Sequence, residues 1–452
     1  MPDRKKRDDQ TSKEYFLELC SAYYDELKST AHSADYGQFL NAAEAVVMSK
    51  GHELLRQSLE TLHQESIDDI EKKNETKVCP HCQQKKRHLG YTEKKIETAA
   101  GRINIERRYD ACYPCKQQGY VADTLLGLKD NYTVGIRRLA VRAGGTKSFE
   151  EAEDDLQEYC GLKLSHMTIR KLCDKESSKM EEWQQTSSEI QEDFIAAPGN
   201  VEVTMDATKV NTTEGWKDTK VLILSKRERG ESALPEEFGT RRLPRTSVRI
   251  ACAAIEGKDD FQQRVNDWRF RLHLGAKEDI STLGDGAEWI WNISKSVFGN
   301  VRECLDVYHG LEHLSDTGKV LYGEGTAMYV QWKEETTLEF FREGFSLMEE
   351  RLDRLEREKR ERREEWKPKE RESLRLLRGY LSGQSARLNY RERLAEGRAI
   401  GSGQVEGACK NRIGKRLKQT GARWLVPRLN RMTVICSVRY SSHWKKYWKQ
   451  AK

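Results

Sequence analysis

Asp206, Asp285 and Glu406 stand in three contexts that can aim carboxylates at one point. Val201, Val203 and Met205 alternate with polar residues up to Asp206, the period-two pattern of a strand, and Ile280 to Gly284 is a short strand-like run ending on Asp285. Both acids are expected at strand ends, where the backbone holds a side chain rigidly. Gly401-Ser-Gly-Gln-Val-Glu406 reads as a glycine-loosened turn entering a helix that carries the last acid of the chain. Carboxylate oxygens suit hard divalent cations such as Mg2+ or Mn2+. Three converging carboxylates can hold two ions roughly 4 Å apart, the arrangement that activates a nucleophile and stabilises a leaving oxygen at phosphorus.

A second set of residues suits a softer metal. Cys79-Pro-His-Cys82 and Cys112-Tyr-Pro-Cys115 are paired CxxC knuckles. Between them Tyr91 to Ile96 and Ile103 to Tyr109 flank Ala99-Ala100-Gly101, the pattern of a β-hairpin. A hairpin that brings the knuckles together closes a tetrahedral four-thiolate Zn2+ site with no open position, hence a structural zinc ribbon. His81 and His88 are the nearby competitors as ligands.

The order of elements around the carboxylates is informative. Three strand runs (201–206, 220–224, 247–255), a helix from Phe261 to Leu272, the strand ending at Asp285, a helix from Ala287 to Lys295 and a strand from Asn300 to Leu305 follow in turn. That is the plan of a ribonuclease-H-like core, in which the first and fourth strands place acids side by side. Residues 315–395 read as an all-helical insertion, and Glu349 to Glu365 mixes Glu and Arg at i,i+4 spacing, as on a solvated helix or helical hairpin.

Gly284-Asp-Gly-Ala-Glu-Trp-Ile-Trp-Asn292, Leu305-Asp-Val-Tyr-His-Gly-Leu-Glu-His-Leu314 and Gly401-Ser-Gly-Gln-Val-Glu406 resemble strings of the DDE transposases of the ISKra insertion-sequence family, as do the paired knuckles and Asp123-Thr-Leu-Leu-Gly-Leu128. The resemblance spans roughly residues 79 to 430. It implies that Asp206, Asp285 and Glu406 are the DDE triad. The chain would then cut DNA at the ends of a mobile element and join them to target DNA, working as a homo-oligomer. Ala207 stands where glycine is expected in that pattern, which removes no ligand. Asp306-Val-Tyr-His309 is similar to the (C/D)xxH signature of Mutator and hAT transposases, which implies that His309 touches the scissile phosphate or organises the site; on residue type alone, a lone helical His is structural. Asp306 is the rival metal ligand, and Glu312 and His313 follow one helical turn on.

The rest of the chain must position and feed such a site. Of 79 basic residues, thirteen follow Glu406 and no acid does, so the preceding chain is net acidic and the positive charge is concentrated in the tail. With Trp424, Tyr440, Trp444, Tyr447 and Trp448 interleaved, the tail suits a polyanion whose bases could stack on the aromatics; the competing reading is a solvated helix pair with those rings in the core. Lys410, Arg412, Lys415 and Arg416 are expected beside the carboxylates. Ser148 to Leu156, a turn at Gly161 and a helix capped by Ser165 read as a helix-turn-helix presenting His166, Thr168, Arg170 and Lys171, or as a helical hairpin with no DNA role.

Charged residues make up 34% of the chain against roughly 25% in an average domain, and no apolar run approaches the roughly 20 residues that span a bilayer, so a cytoplasmic, nucleoid-associated protein without membrane contact is expected. The fold class expected is α+β and multi-domain: a helical module (1–76), the zinc ribbon (77–128), a helical module (129–195), the core (196–314), its insertion (315–395), and core completion with the basic segment (396–452). A transposase-derived DNA-binding protein that no longer cuts is the alternative; loss of an acid would favour it, and all three are present.

Overall fold

The computed structural model describes residues 12–33, 37–128, 130–275 and 278–451. The fold is mixed α+β, with a three-stranded and a five-stranded sheet among many helices. The chain divides into two compact units, Met1–Glu176 with Trp448–Lys452, and Ser177–Tyr447. Among the described residues no helix is long and apolar enough to cross a membrane.

In the first unit two helices, Ser12–Ser33 and Phe39–Lys72, precede a hairpin of β1 (Arg87–Thr98) and β2 (Gly101–Cys112), and β3 (Gln117–Tyr120) pairs with the last residues of β2. The free part of the β2 edge is covered by the second helix. Glu60, Gln64 and Glu71 accept from the backbone N–H groups of Asn104 (3.1 Å), Glu106 (2.7 Å) and Arg108 (2.7 Å). Helical side chains thus satisfy donors that a neighbouring strand would otherwise pair. Ile67 from that helix packs on Ile96, Ile103 and Ile105 in a small core.

Further along this unit the helix Phe149–Cys160 starts with a reciprocal capping box between Ser148 and Glu151 and ends at Gly161 (φ +63°), and the helix His166–Thr186 follows. His166 Nδ1 lies 3.0 Å from Glu153 Oε2, and the backbone N–H of His166 donates to the same oxygen at 2.6 Å.

The second unit is built on β4 (Asn200–Thr212), β5 (Gly215–Arg227), β6 (Val248–Ala254), β7 (Ile280–Gly284) and β8 (Arg302–Leu305), in the spatial order β6-β5-β4-β7-β8. The first three strands form an antiparallel meander, and β7 and β8 run parallel to β4. Both faces of β4 are covered: Val203 and Met205 are buried on one, Glu202 and Thr204 on the other. The helices between 315 and 395 are continuous with this core. Trp332, Phe340, Met348, Leu377 and Tyr390 lie in the same buried cluster as the strand residues.

Close approach fixes that joint. A Cβ on Gly310 or Gly318 of the helix Val307–Tyr322 would stand 2.5 Å from Phe340 and 2.3 Å from Trp332 respectively, so the helix Ala327–Glu343 can pack only against glycine there. The Glu/Arg-rich helix Phe345–Glu361 buries Met348 and Leu352, and its charges pair between helices: Arg351 with Glu335 and Glu339, Arg378 with Asp353 and Glu356.

Candidate functional site

Asp206, Asp285 and Glu406 line one open cavity of about 1630 Å³, together with His309, Tyr308 and Glu312. Asp206 is not at a strand end, as the alternation led us to expect. The β4–β5 hairpin runs on past it to Thr212, and the parallel pairing with β7 stops at Thr204↔Leu283. Asp206 therefore stands where β4 leaves the sheet's parallel half. One carboxylate oxygen accepts from the Ala207 N–H at 2.6 Å. Burial pushes its carboxyl above the usual range, the Cys409 thiol and the Ala207 N–H pull it down, and the Asp285 charge adds to the rise.

Asp285 follows β7 in a tight turn. Its Oδ1 accepts from Ala287 N at 2.9 Å, and the turn needs Gly286 at φ +100°, where an added Cβ would meet the Tyr380 hydroxyl at 2.9 Å. The helix Pro368–Gly383 and the residue after it hold this turn from outside: Tyr380 Oη donates to Asp285 O and Gln384 Nε2 to Gly286 O, each at 3.0 Å. The His313 ring lies on Tyr380, centroids 3.9 Å apart. Tyr380 and Gln384 carried no signal in the sequence, because their role depends on a helix that packs back from almost a hundred residues away. If the cavity takes the divalent cation that its oxygen donors suit, Tyr380→Phe is expected to weaken Mn2+ binding there about tenfold with little change in unfolding temperature, measured by paramagnetic titration; unchanged affinity would mean that the turn holds itself.

Glu406 projects from the short helix Gly403–Ala408, which runs into a π-turn, Cys409–Gly414. That helix is tied to the sheet by Gln404, whose amide donates to Glu202 Oε2 (2.7 Å) and Ser225 Oγ (2.9 Å). Lys410 Nζ lies 3.7 Å from Glu406, and Lys410 and Lys418 both line the cavity. The other expected cations differ. Arg416 is buried over Trp424, Arg412 packs toward Tyr440, and Lys415 is exposed without lining the cavity.

The aromatics of the tail are likewise structural: Tyr447 and Trp448 are buried, Tyr440 donates to Gln404 O at 2.8 Å, and Trp424 donates to Leu417 O at 3.0 Å. Tyr447 and Trp448 turn inward from the helix Trp444–Gln450, whereas Tyr440 and Trp424 are half-buried and Trp424 stands in a single bridge to Thr212.

Asp306 is no spare metal ligand. It is fully buried and caps the helix Val307–Tyr322, accepting from Tyr308 N (2.8 Å) and His309 N (3.4 Å), while its second oxygen accepts from the N–H and the hydroxyl of Ser402. With four donors on two oxygens it ties the 401–406 turn to the helix that carries His309. Asp306→Ala should cost about 3 kcal/mol in urea unfolding, from a lost cap and two orphaned donors; a change in metal affinity with no loss of stability would contradict this role. His309 lines the cavity and is partly exposed, with Nδ1 3.8 Å from Glu312 Oε2.

Among the described residues, the four cysteines are the only three or more His, Cys, Asp or Glu whose ligand atoms all lie within 4.8 Å of one another. Cys79 Sγ to Cys115 Sγ is 3.9 Å and Cys82 Sγ to Cys112 Sγ is 3.4 Å, near the roughly 3.8 Å edge of a tetrahedral Zn–S4 unit. The backbone N–H groups of Cys82 and His81 lower the Cys79 thiol, while the neighbouring thiol of Cys82 raises that of Cys115, as expected where several thiols share their protons. The cluster could hold a metal such as zinc. His81 and His88 stay outside it, His88 lying instead against Tyr91 and 3.7 Å from Asp110.

The three carboxylates form a looser set than the cysteines: they line one cavity, but their ligand atoms do not all lie within 4.8 Å of one another. Their donor set is all oxygen, and each aspartate has one oxygen engaged by a backbone N–H, which fixes its rotamer. The chain matches no family model and no curated protein.

Proposed function

We propose that this chain is a DNA transposase that cuts and joins phosphodiesters with Asp206, Asp285 and Glu406 as the ligands of two Mg2+ or Mn2+ ions. The observation that carries the reading is the cavity: acids from β4, from the turn after β7 and from a C-terminal helix face one open space on a sheet of order β6-β5-β4-β7-β8. A ribonuclease-H-like core uses that strand order, with the meander on one side of the first strand and the parallel strands on the other. The ions supply the charge that activates the nucleophile and stabilises the leaving oxygen. Water adds to phosphorus as the P–O3′ bond breaks, leaving a 5′-phosphate and a 3′-hydroxyl; that hydroxyl attacks a target phosphodiester in the same way and displaces its 3′-oxygen.

The chain's own residues would do the positioning. Tyr380 and Gln384 hold the Asp285 turn, Asp306 and Gln404 hold the Glu406 helix, and Lys410 and Lys418 offer cations to the incoming backbone. The cysteine cluster fits a zinc ribbon, and the helices Phe149–Cys160 and His166–Thr186 fit a helix-turn-helix that reads element ends; its Thr168, Arg170 and Lys171 are free of the contact to Glu153 that holds His166. The experiment is incubation of the full chain with plasmid carrying the DNA that flanks its gene. Nicking at defined ends that needs Mg2+ or Mn2+ and stops with chelator supports the reading. Specific binding without nicking would favour a DNA-binding protein that has lost the chemistry.

A further inference from the structure

Arg229, Arg241 and Arg242 wall a pocket of about 790 Å³ in the β5–β6 connection that shares no lining residue with the acidic cavity. The connection is held open by its own anchors. Gly230 N donates to Gly397 O at 2.8 Å, Ala233 N donates to Leu394 O at 3.1 Å, and the Arg241 guanidinium donates to Arg398 O. The pocket therefore exists without a ligand to shape it.

Its charge is out of balance. Arg229 pairs with Asp279 at 3.3 Å, and Asp279 is already engaged by Arg398. Among the described residues neither Arg241 nor Arg242 has a carboxylate within salt-bridge distance, and the buried Nε of Arg241 has no partner at all. Arg393 and Arg227 are close enough to Arg241 to repel its charge. The wall also carries Glu231 and Glu237, which leaves three arginines against two carboxylates, and among the described residues neither acid lies within salt-bridge distance of Arg241 or Arg242; Glu237 is turned to its own loop at Leu234 N, 2.8 Å away. Guanidinium groups gathered in one concavity without a carboxylate on each suit an anion. The guanidinium forks of Arg229, Arg241 and Arg242, with Ser232 in the same wall, match the oxygens of a phosphate group.

We propose that this arginine pocket is a phosphate-binding site, and that on DNA it grips a backbone phosphate away from the cutting cavity. The second half rests on the transposase reading; the first does not. The test uses the full chain, inorganic phosphate and a short duplex of arbitrary sequence, with Arg242→Gln, an exposed side chain whose loss leaves the loop's anchors intact, and Arg241→Gln. Calorimetric titration should show phosphate bound by the parent and weakened about tenfold in each variant, with the unfolding temperature of Arg242→Gln unchanged. The slope of log affinity for duplex against log salt should fall by about 1 in Arg242→Gln. Equal phosphate binding by parent and Arg242→Gln, or none by the parent, overturns the site. Lost phosphate binding with an unchanged duplex slope leaves a free phosphate as the occupant and removes the DNA contact. A chain that binds phosphate here but no duplex at all contradicts the transposase reading and leaves the pocket standing.

Discussion

Asp206→Asn, Asp285→Asn and Glu406→Gln should each lower metal-dependent DNA cleavage by at least about a thousandfold while leaving the protein folded. Each substitution keeps the shape of the side chain and removes the charge that a cation requires. Asp206→Asn should also hold or raise the unfolding temperature of the metal-free protein. Burial and the nearby Asp285 raise the Asp206 carboxyl above its usual range. A raised acid contributes stability below its unfolded value and loses it as pH climbs through the folded one, so at neutral pH the ionised carboxylate costs folding free energy that the amide does not. Calorimetry at neutral pH checks this alongside the cleavage assay. A variant that neither cuts nor folds would place Asp206 with Asp306 as a structural acid.

If the cysteine cluster holds zinc, removing it should produce the other large effect. Structural Zn2+ in small thiolate sites is worth on the order of 10 kcal/mol of folding free energy. The knuckles are held by little else. Val78 and Lys85 make a single bridge, and β3 pairs with β2 over only Tyr109 to Cys112. Chelation, or Cys112→Ser, should therefore expose the amides of 78–86 and 112–120 to hydrogen exchange. The far end of the hairpin should stay protected by Ile67, Ile96, Ile103 and Ile105, and β4–β5 should not change. Uniform protection after chelation would show that the cysteines hold no structural metal.

Much of this was legible in the sequence, for physical reasons that differ by element. Paired CxxC spacing pointed to the cysteine cluster, and alternating runs on either side of Ala99-Ala100-Gly101 pointed to the hairpin between its knuckles. Strand runs near 201, 220 and 247 were visible as alternation, and the acids at 206, 285 and 406 stood out by context. Alternation could not show where β4 ends: its continuation to Thr212 is set by pairing with β5, whose partner residues lie across a turn. Asp306 looked like a spare ligand because residue type says nothing about which donors surround it; Ser402, ninety-six residues away, decides that. The tail aromatics looked available for stacking because charge and aromatic content are composition, whereas burial is geometry. β3 was missed because its four residues, Gln-Gln-Gly-Tyr, carry no alternation.

The most direct test of the central claim joins both chemical steps in one reaction. The full chain, Mg2+, a labelled duplex ending in the DNA that flanks the gene, and an unlabelled supercoiled plasmid are incubated together. The account predicts label covalently joined to plasmid through a 3′-end, dependent on Mg2+ or Mn2+ and absent with Glu406→Gln. Label that is bound but never cut or joined by the parent would contradict it.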